Sequence, residues 1–489
     1  GGLAAAARLA TLGHQVVVCE QADRVGGKLA SYSRDGFTFD TGPSLLTLPA
    51  VYRDLFIKTG QPIEDSLDLV EVDPAFRYRF PGVDGGEPTW LTVPNASRAR
   101  LRAALDATLD AGAGDDWERF LERAHAIWQV TRGPFLESPL GGVGDLLRLA
   151  RRTSDLRTVA PWRSLRSLGA GYLPDPRLRM LLDRYATYTG SDPRRAPAAL
   201  AVVPYVEQAF GAWHVRGGLA RLADAVHQRA AERGAQVRTG ADVRRVLLEG
   251  GRAAGVELAS GERLPADVVV SDADAAQLYE HLLPGAAGRG PRRRLRRATP
   301  SLAGFVLLLA VRGRTRDLAH HTVLFPRDYD AEFDAVFGGP AAPVADPTVY
   351  VCSPGDAAMR PDGHEAWFVL VNAPRHGIGR GAVDWAAPGI AGAYADRVLQ
   401  VLAERGLDVR DRLLWREVRT PADLEHATRS PGGAIYGTSS NGARSAFLRP
   451  ANRSPVPGLF LVGGSAHPGG GLPLVGLSAA IVADLVGPA

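Results

Sequence analysis

Residues 1–20, GGLAAAARLATLGHQVVVCE, hold a short helix and the strand that follows it. Leu3–Leu12 is built from Ala and Leu, good helix formers whose small bulk predicts a helix lying close on a sheet. Gly13 supplies the stop, since glycine enters the left-handed conformation at a helix end without steric cost. Val16-Val17-Val18-Cys19 is an unbroken apolar run, the pattern of a strand buried on both faces of a parallel sheet, and Glu20 ends it. A helix, a tight stop, a buried strand and a terminal acid form the second half of a dinucleotide-binding βαβ unit. Glu20 lies 18 residues beyond Gly2, close to the roughly 20 expected of an acid that bonds ribose hydroxyls. Gly2 then stands as the third glycine of GxGxxG, with the other two glycines and the first strand upstream of Gly1. The expectation is a chain whose first strand is cut away from its parent protein. A Gly-Gly helix start has a plain packing explanation as well.

Around this start lies an ordinary globular composition. The 489 residues are 45% apolar and 22% charged, which excludes a disordered chain, a collagen-like fibre and a polytopic membrane protein. The longest apolar stretches, near Gly304–Val311 and Gly471–Ala483, fall short of the roughly 20 residues that span a bilayer. The first residues lack the basic-then-apolar pattern of a secretory signal. Cys19 and Cys352 make no CxxC or metal-ligand spacing, so no metal site is expected, and a reducing, cytoplasmic compartment is the simpler reading. Net charge is +4; all but two of the 57 basic residues, Lys28 and Lys58, are arginine, scattered among 53 acidic ones. That scatter argues against a nucleic-acid footprint.

Further along, Ser97–Val203 is rich in Ala, Leu and Arg and predicts a mainly helical region, broken at Gly141-Gly142, Pro161 and Pro174. From Gln236 to Asp272 short apolar segments punctuated by Gly250-Gly251 and Ser260-Gly261 predict a β-meander. Gly304–Val311 and Trp367–Val371 read as buried strands. Pro291–Arg297 reads as a basic surface loop, with a lipid-headgroup contact as the alternative.

Four more segments carry chemistry. Gly26-Gly27-Lys28 and Phe39-Asp40-Thr41-Gly42-Pro43 allow a backbone to pass close to a cofactor, with Lys28 available to a diphosphate; two ordinary turns are the alternative. Phe210–Gly218 leads into a helical stretch, Leu219–Gly234. Thr239–Val243 enters the meander. The most specific is Gly458-Leu-Phe-Leu-Val-Gly-Gly-Ser-Ala-His-Pro-Gly-Gly-Gly-Leu-Pro-Leu-Val-Gly476. There a buried strand runs through glycines into a helix predicted from about Pro473 to Leu485, whose N-terminus offers bare N–H groups and a positive dipole end to an anion or an electron-rich ring.

Together these segments resemble the bacterial phytoene desaturase family of FAD-dependent carotenoid desaturases. The resemblance is tightest at Gly1–Pro49, Tyr205–Pro284 and Gly432–Ala483. Its motifs are matched by Gly26–Lys28, Asp40–Pro43, Tyr205, Glu207, Gly211, Trp213, Gly217, Gly218 and His467–Pro473. It implies an α/β fold: a glutathione-reductase-type, Rossmann-like FAD-binding domain with its first strand truncated, and a mixed α+β substrate lobe. The FAD-binding domain is expected from residues 1–50, 205–275 and 430–489, and the substrate and membrane-facing lobe from 51–204 and 276–429. By the same resemblance Gly1 and Gly2 belong to the FAD diphosphate turn and Glu20 to the adenosine ribose. Gly26, Gly27, Lys28, Thr41 and Gly42 flank the diphosphate and flavin, and Val243 holds the adenine. Gly463, Gly464, Pro473, Leu474, Val475 and Gly476 cover the ribityl chain and ring.

The implied reaction removes two hydrogens from adjacent carbons of an acyclic carotene, a hydride going to flavin N5 and a proton being lost. His467 is the candidate catalytic residue, a structural hydrogen bond in the turn being the alternative. Tyr185, Tyr188, Arg194 and Trp213 are candidates for the substrate side. Ser465-Ala466 and Leu474 depart from the phytoene desaturase pattern and point to a branch acting on a later acyclic carotene. The substrate's home is the bilayer, so peripheral membrane attachment is expected, through Leu140–Leu173 or Pro291–Arg297. Rival readings are a flavin amine oxidase, a carotenoid isomerase or oxygenase of the same superfamily, and a non-catalytic flavin-binding remnant.

Overall fold

In the computed structural model, which describes residues 1–140, 153–283, 285–377, 382–442, 445 and 449–489, the Ala/Leu segment is a helix over Gly2–Thr11. Ala4, Ala5, Ala6 and Ala7 are buried; their methyl side chains let this helix lie close against two others, Ala220–Glu232 and Leu472–Val486. Gly13 takes φ +97° and turns the chain into the strand Val17–Cys19. That strand pairs in parallel with Gln236–Arg238. Predicted to be buried on both faces, it is only half-buried, with Val17 48% exposed. A second parallel pair joins Val269–Ser271 to Leu459–Leu461. Between the pairs in sequence runs the expected meander, Val243–Glu249, Arg252–Leu258 and Arg263–Pro265, all antiparallel.

One core unites the parts of this lobe. Ala4–Ala7, Leu222, Val226, Phe460, Ala479 and Val482 share it with Tyr52, Leu55, Phe56, Ile63 and Leu67. The expected lobe boundary at residue 50 therefore moves outward: the helix Ala50–Lys58 packs on Leu472–Val486, and the Tyr52 hydroxyl donates to the Leu472 carbonyl at 2.9 Å.

The second lobe is built on a seven-stranded sheet. Its order is Leu413–Arg419, Ala303–Arg312, His364–Ala373, Val349–Cys352, His321–Leu324, Phe76–Phe80 and Thr89–Val93. All neighbours are antiparallel except the parallel pair His321–Leu324 with Phe76–Phe80. Ala303–Arg312 is apolar throughout because both its faces are covered. Phe305, Leu307, Leu309 and Val311 meet the helix Ile390–Glu404, while Val306, Leu308 and Ala310 meet Phe37 and Phe39 of the hairpin Ser31–Asp40.

Helices cover the other end of the sheet, as the Ala/Leu/Arg-rich segment predicts: Arg98–Thr108, Ala113–Thr131, Leu165–Gly169, Pro176–Thr187 and Val202–Phe210. In Ala113–Thr131 the buried Trp117, Phe120, Leu121, Ala124, Ile127 and Trp128 recur every three to four residues, one apolar stripe turned inward. They share a core with Phe76, Tyr78 and Phe80 of the sheet. The break expected at Gly141-Gly142 lies outside the described residues. Pro291–Arg297, expected as a loop, is mostly helical: Arg289–Leu295 forms two turns, because Arg292 is anchored to the carbonyls of Tyr279 (2.7 Å) and Gly285 (2.6 Å). Among the described residues no helix is long and apolar enough to cross a membrane.

Candidate functional site

The N-terminus of the first helix meets the glycine turn that follows Leu459–Leu461. A Cβ on Gly1 would fall 2.8 Å from the Gly463 Cα, and one on Gly463 would collide with the Asp272 carboxylate. Only glycines allow this approach. The Gly2 N–H donates to Asp272 Oδ2 at 2.8 Å, so an acid already stands at the helix N-terminus. At the far end of the strand pair, Glu20 Oε1 accepts from the Ala22 N–H (2.9 Å), and the Glu20 carbonyl accepts from Ala241 (2.8 Å). Val243 follows at once and opens the meander. Asp242 beside it forms a bidentate pair with Arg429, at 2.8 and 2.9 Å. Glu20 and Val243 are thus brought to one place by main-chain bonds.

Gly26–Lys28 and Thr41-Gly42 are zipped together. The Thr41 N–H donates to the Ala30 carbonyl at 2.9 Å, and a Cβ on Gly42 would lie 1.8 Å from the Lys28 carbonyl oxygen. Gly27, at φ +57°, is the contrary case, with open space where its Cβ would be. Lys28 Nζ is buried and donates to the carbonyls of Ile435 (2.7 Å) and Ala434 (3.1 Å). Burial lowers its pKa, against the pull of Asp274 and Asp272. Expected beside a diphosphate, its ammonium ties this segment to Ala434-Ile435.

Gly458–Gly476 forms the turn its glycines predict. Asn452, buried, donates from Nδ2 to the carbonyls of Leu461 (3.1 Å) and His467 (2.8 Å). Ser478 Oγ also donates to the His467 carbonyl (2.8 Å) and accepts from the Gly463 N–H (3.2 Å). Arg449 reaches the carbonyls of Tyr436 (2.8 Å), Gly464 (2.7 Å) and Thr438 (2.7 Å); burial draws its pKa down to about 10. His467 is 1% exposed. Its Nε2–H donates to the Ser138 carbonyl (3.0 Å), the Phe135 ring stands edge-on at 5.3 Å, and burial lowers its pKa to about 4. The residue expected to be catalytic is thus bonded from this turn to Ser138. Beyond it, Gly471 gives the helix Leu472–Val486 no side-chain cap, so the first turn, with Pro473, Leu474, Val475 and Gly476, keeps its N-terminal dipole exposed.

On the substrate side, Tyr185 and Tyr188 come together around a buried acid and a buried base. Their hydroxyls donate to Glu207 at 2.6 and 2.9 Å, and Arg184 donates to the Tyr188 hydroxyl at 2.7 Å. The guanidinium lies 4.9–5.8 Å from the ring centres of Tyr188, Phe76, Tyr78 and Tyr350. Arg184 was not legible in the sequence: one arginine among many, it is marked out only by its partners. Arg194 and Trp213 are elsewhere. Arg194 pairs with Asp192 and Asp334 (2.9 and 2.8 Å), and Trp213 Nε1 donates to the Phe210 carbonyl (2.9 Å). A cavity of about 380 Å³ opens at Thr299–Leu302, Val336–Gly339 and Arg375. Its lining residue Ser301 accepts at Oγ from the Tyr436 N–H at 3.0 Å.

These residues fit FAD where it matters for the ring. An uncapped helix N-terminus follows the glycine turn, and Gly27 and Gly471 both leave space that a Cβ would fill. With a Rossmann-like lobe set against a broad antiparallel sheet, the chain is an FAD-dependent oxidoreductase. Residues 1–486 match the profile of the flavin-containing amine oxidoreductases, and the chain belongs to that family, in its carotenoid desaturase group. A 4,4'-diapolycopene oxygenase of a Methylomonas species is 34% identical over 99% of this chain and 96% of its own. A hydroxyneurosporene desaturase of Rubrivivax gelatinosus is also 34% identical, over 99% and 90%. A zeta-carotene-forming phytoene desaturase of Myxococcus xanthus is 32% identical, over 99% and 91%. Among solved structures, an oxidoreductase from Methanosarcina mazei matches with a TM-score of 0.63 at 18% identity, covering 99% of this chain and 97% of that one. A redesigned putrescine oxidase matches with a TM-score of 0.67 at 14% identity, covering 99% and 96%. At those identities the likeness is one of fold.

Proposed function

We propose that this protein desaturates an acyclic carotene in carotenoid biosynthesis. The observation that carries the reading is full-length similarity to enzymes named for such substrates, two of them desaturases. Bound FAD supplies the hydride acceptor, and the protein supplies orientation and exclusion of water. Gly26, Gly27, Thr41 and Gly42 line the ring and diphosphate side; Gly1, Gly2, Glu20 and Val243 serve the diphosphate and adenosine end. Gly463, Gly464 and the first turn at Pro473–Gly476 lie against the ring and ribityl chain, while His467, Asn452 and Ser478 hold that turn in shape. Lys28 contributes by fixing its loop on Ala434-Ile435.

The Arg184 box supports a hydrocarbon substrate over an amine. Its aromatic faces already hold the protein's own guanidinium, so they are not free to cage a substrate amine. The 34% identity to an oxygenase gives oxygenation of a carotene end as the second reading.

Collection of the substrate from a membrane surface at the cytoplasmic side follows from its solubility. Trp162 is 67% exposed, within the expected contact segment, and Arg293, Arg294 and Arg297 are exposed on and just after the basic helix. Both are features that bind anionic bilayers. Flotation with anionic liposomes tests this, and a protein that stays wholly in the aqueous fraction removes it.

The decisive experiment expresses the full-length natural protein in one host accumulating phytoene and another accumulating neurosporene or lycopene, with pigments resolved by chromatography and absorbance. New products of longer conjugation establish desaturation and identify the substrate. Products of higher oxygen content and unchanged desaturation establish the oxygenase reading. Unchanged pigments in both hosts, with FAD bound, sink the proposal.

A further inference from the structure

The sheet of the second lobe brings together three metal-ligating side chains that no step of the flavin chemistry uses. His321 and Cys352 are direct cross-strand partners in the antiparallel pair His321–Leu324 with Val349–Cys352. His320 precedes that strand, its carbonyl accepting from the Ser353 N–H at 2.9 Å. The two imidazole centres are 4.4 Å apart. One ring nitrogen of each histidine and the Cys352 Sγ all lie within 4.8 Å of one another.

We propose that His320, His321 and Cys352 bind a thiophilic transition-metal ion of the zinc class. Two independent features support this beyond the cluster itself. First, Nε2 of His320 and Nε2 of His321 are both buried without a hydrogen-bond partner. Buried polar groups are nearly always paired, so two orphans in adjacent rings beside a thiol point to a shared ligand. Second, His321 carries the outer support that metal-bound histidines have. Its Nδ1 is 2.8 Å from the Tyr350 hydroxyl, which in turn is 2.7 Å from Ser44 Oγ. With Nδ1–H given to Tyr350, the unpartnered Nε2 keeps its lone pair free to ligate.

Binding replaces the Cys352 S–H bond by a metal–sulfur bond and releases that proton to solvent, with no change of oxidation state. Tetrahedral zinc, with Zn–S of about 2.3 Å and Zn–N of about 2.0–2.1 Å, sets its ligand atoms roughly 3.5 Å apart. The observed spread closes to that by movements of about 1 Å or less in side chains alone. Such an ion would pin the edge of the Val349–Cys352 strand, through Tyr350, to Ser44, two residues past Gly42.

The test uses the full-length natural protein, stripped with a chelator and reloaded with Zn2+ alone. Metal content is measured by mass spectrometry and the ligand shell by zinc-edge X-ray absorption, which bound flavin does not obscure. The expected result is one zinc per chain with one sulfur at about 2.3 Å and nitrogens at about 2.0–2.1 Å. Cys352→Ser should lose the sulfur shell and most of the zinc. Tyr350→Phe should keep the sulfur shell while affinity falls about 10–100-fold, the cost of losing an outer hydrogen bond. A wild-type shell of oxygen and nitrogen only, or zinc content no higher than in Cys352→Ser, overturns the proposal. Should Cys352→Ser fail to fold, the wild-type shell decides it alone. None of these readouts depends on carotene turnover.

Discussion

Replacing Gly42 by alanine sets a methyl group 1.8 Å from the Lys28 carbonyl oxygen and 2.9 Å from its carbon. Both are main-chain atoms, so no rotamer change relieves the clash, and the two segments must part by more than 1 Å to reach an ordinary contact of roughly 3.2 Å. Parting them breaks the bonds that the Thr41 N–H (2.9 Å) and Thr41 Oγ1 (3.1 Å) give to the Ala30 carbonyl. Two hydrogen bonds at about 0.5–1.5 kcal/mol each, with overpacking of about 1–3 kcal/mol, give a cost of about 2–6 kcal/mol. Gly27→Ala is the control. Nothing in the protein stands where its Cβ would go, so the apoprotein meets only the left-handed strain of about 1–2 kcal/mol. If the cofactor lies where proposed, that methyl enters space it needs. Flavin content from the ratio of visible to ultraviolet absorbance, and denaturant midpoints with and without FAD, separate the two. Gly42→Ala should destabilise both forms; Gly27→Ala should barely touch the apoprotein and lose most of the stabilisation FAD confers. Full flavin content in both variants would refute the placement of this loop at the cofactor.

Three further outcomes follow from the same structure. His467 has a folded pKa of about 4 against an ordinary value near 6.5, so the unfolded chain binds more protons between those values and stability is lost as pH falls through that window, by up to about 3 kcal/mol; denaturant midpoints at pH 7 and pH 5 should differ more in wild type than in His467→Gln, and an equal difference in both would count against it. Asn452→Ala removes the donor shared by Leu461 and His467 and should cost about 2–4 kcal/mol with loss of flavin, read by thermal unfolding and absorbance. Arg429→Ala breaks the bidentate pair with Asp242, but both side chains are partly exposed (42% and 32%), so a midpoint change equivalent to more than about 1 kcal/mol is not expected.

What was legible came from local pattern. The Ala/Leu helix and its Gly13 stop, the meander and the apolar strand Ala303–Arg312 are set by propensity and periodicity, which neighbours in sequence carry by themselves. The glycines of 463–476 likewise announced a close main-chain approach, because no other residue permits one. Where reading failed, an unseen partner decided. Val17 is exposed because burial depends on what the fold packs against it, and Pro291–Arg297 is helical because Arg292 finds carbonyls earlier in the chain.

The sequence by itself thus determined the family, the flavin and the glycine turn. Tertiary structure alone decided the chemistry of individual side chains. Lys28 reaches the carbonyls of Ala434 and Ile435, buried His467 bonds the Ser138 carbonyl, and Arg184 sits inside its own aromatic box. His321 and Cys352, whose spacing resembles no metal motif, face each other only because two antiparallel strands set them in register. The physical reason is common to all four: charge state and ligand capacity depend on burial and on partners distant in sequence, and these exist only once the chain has folded.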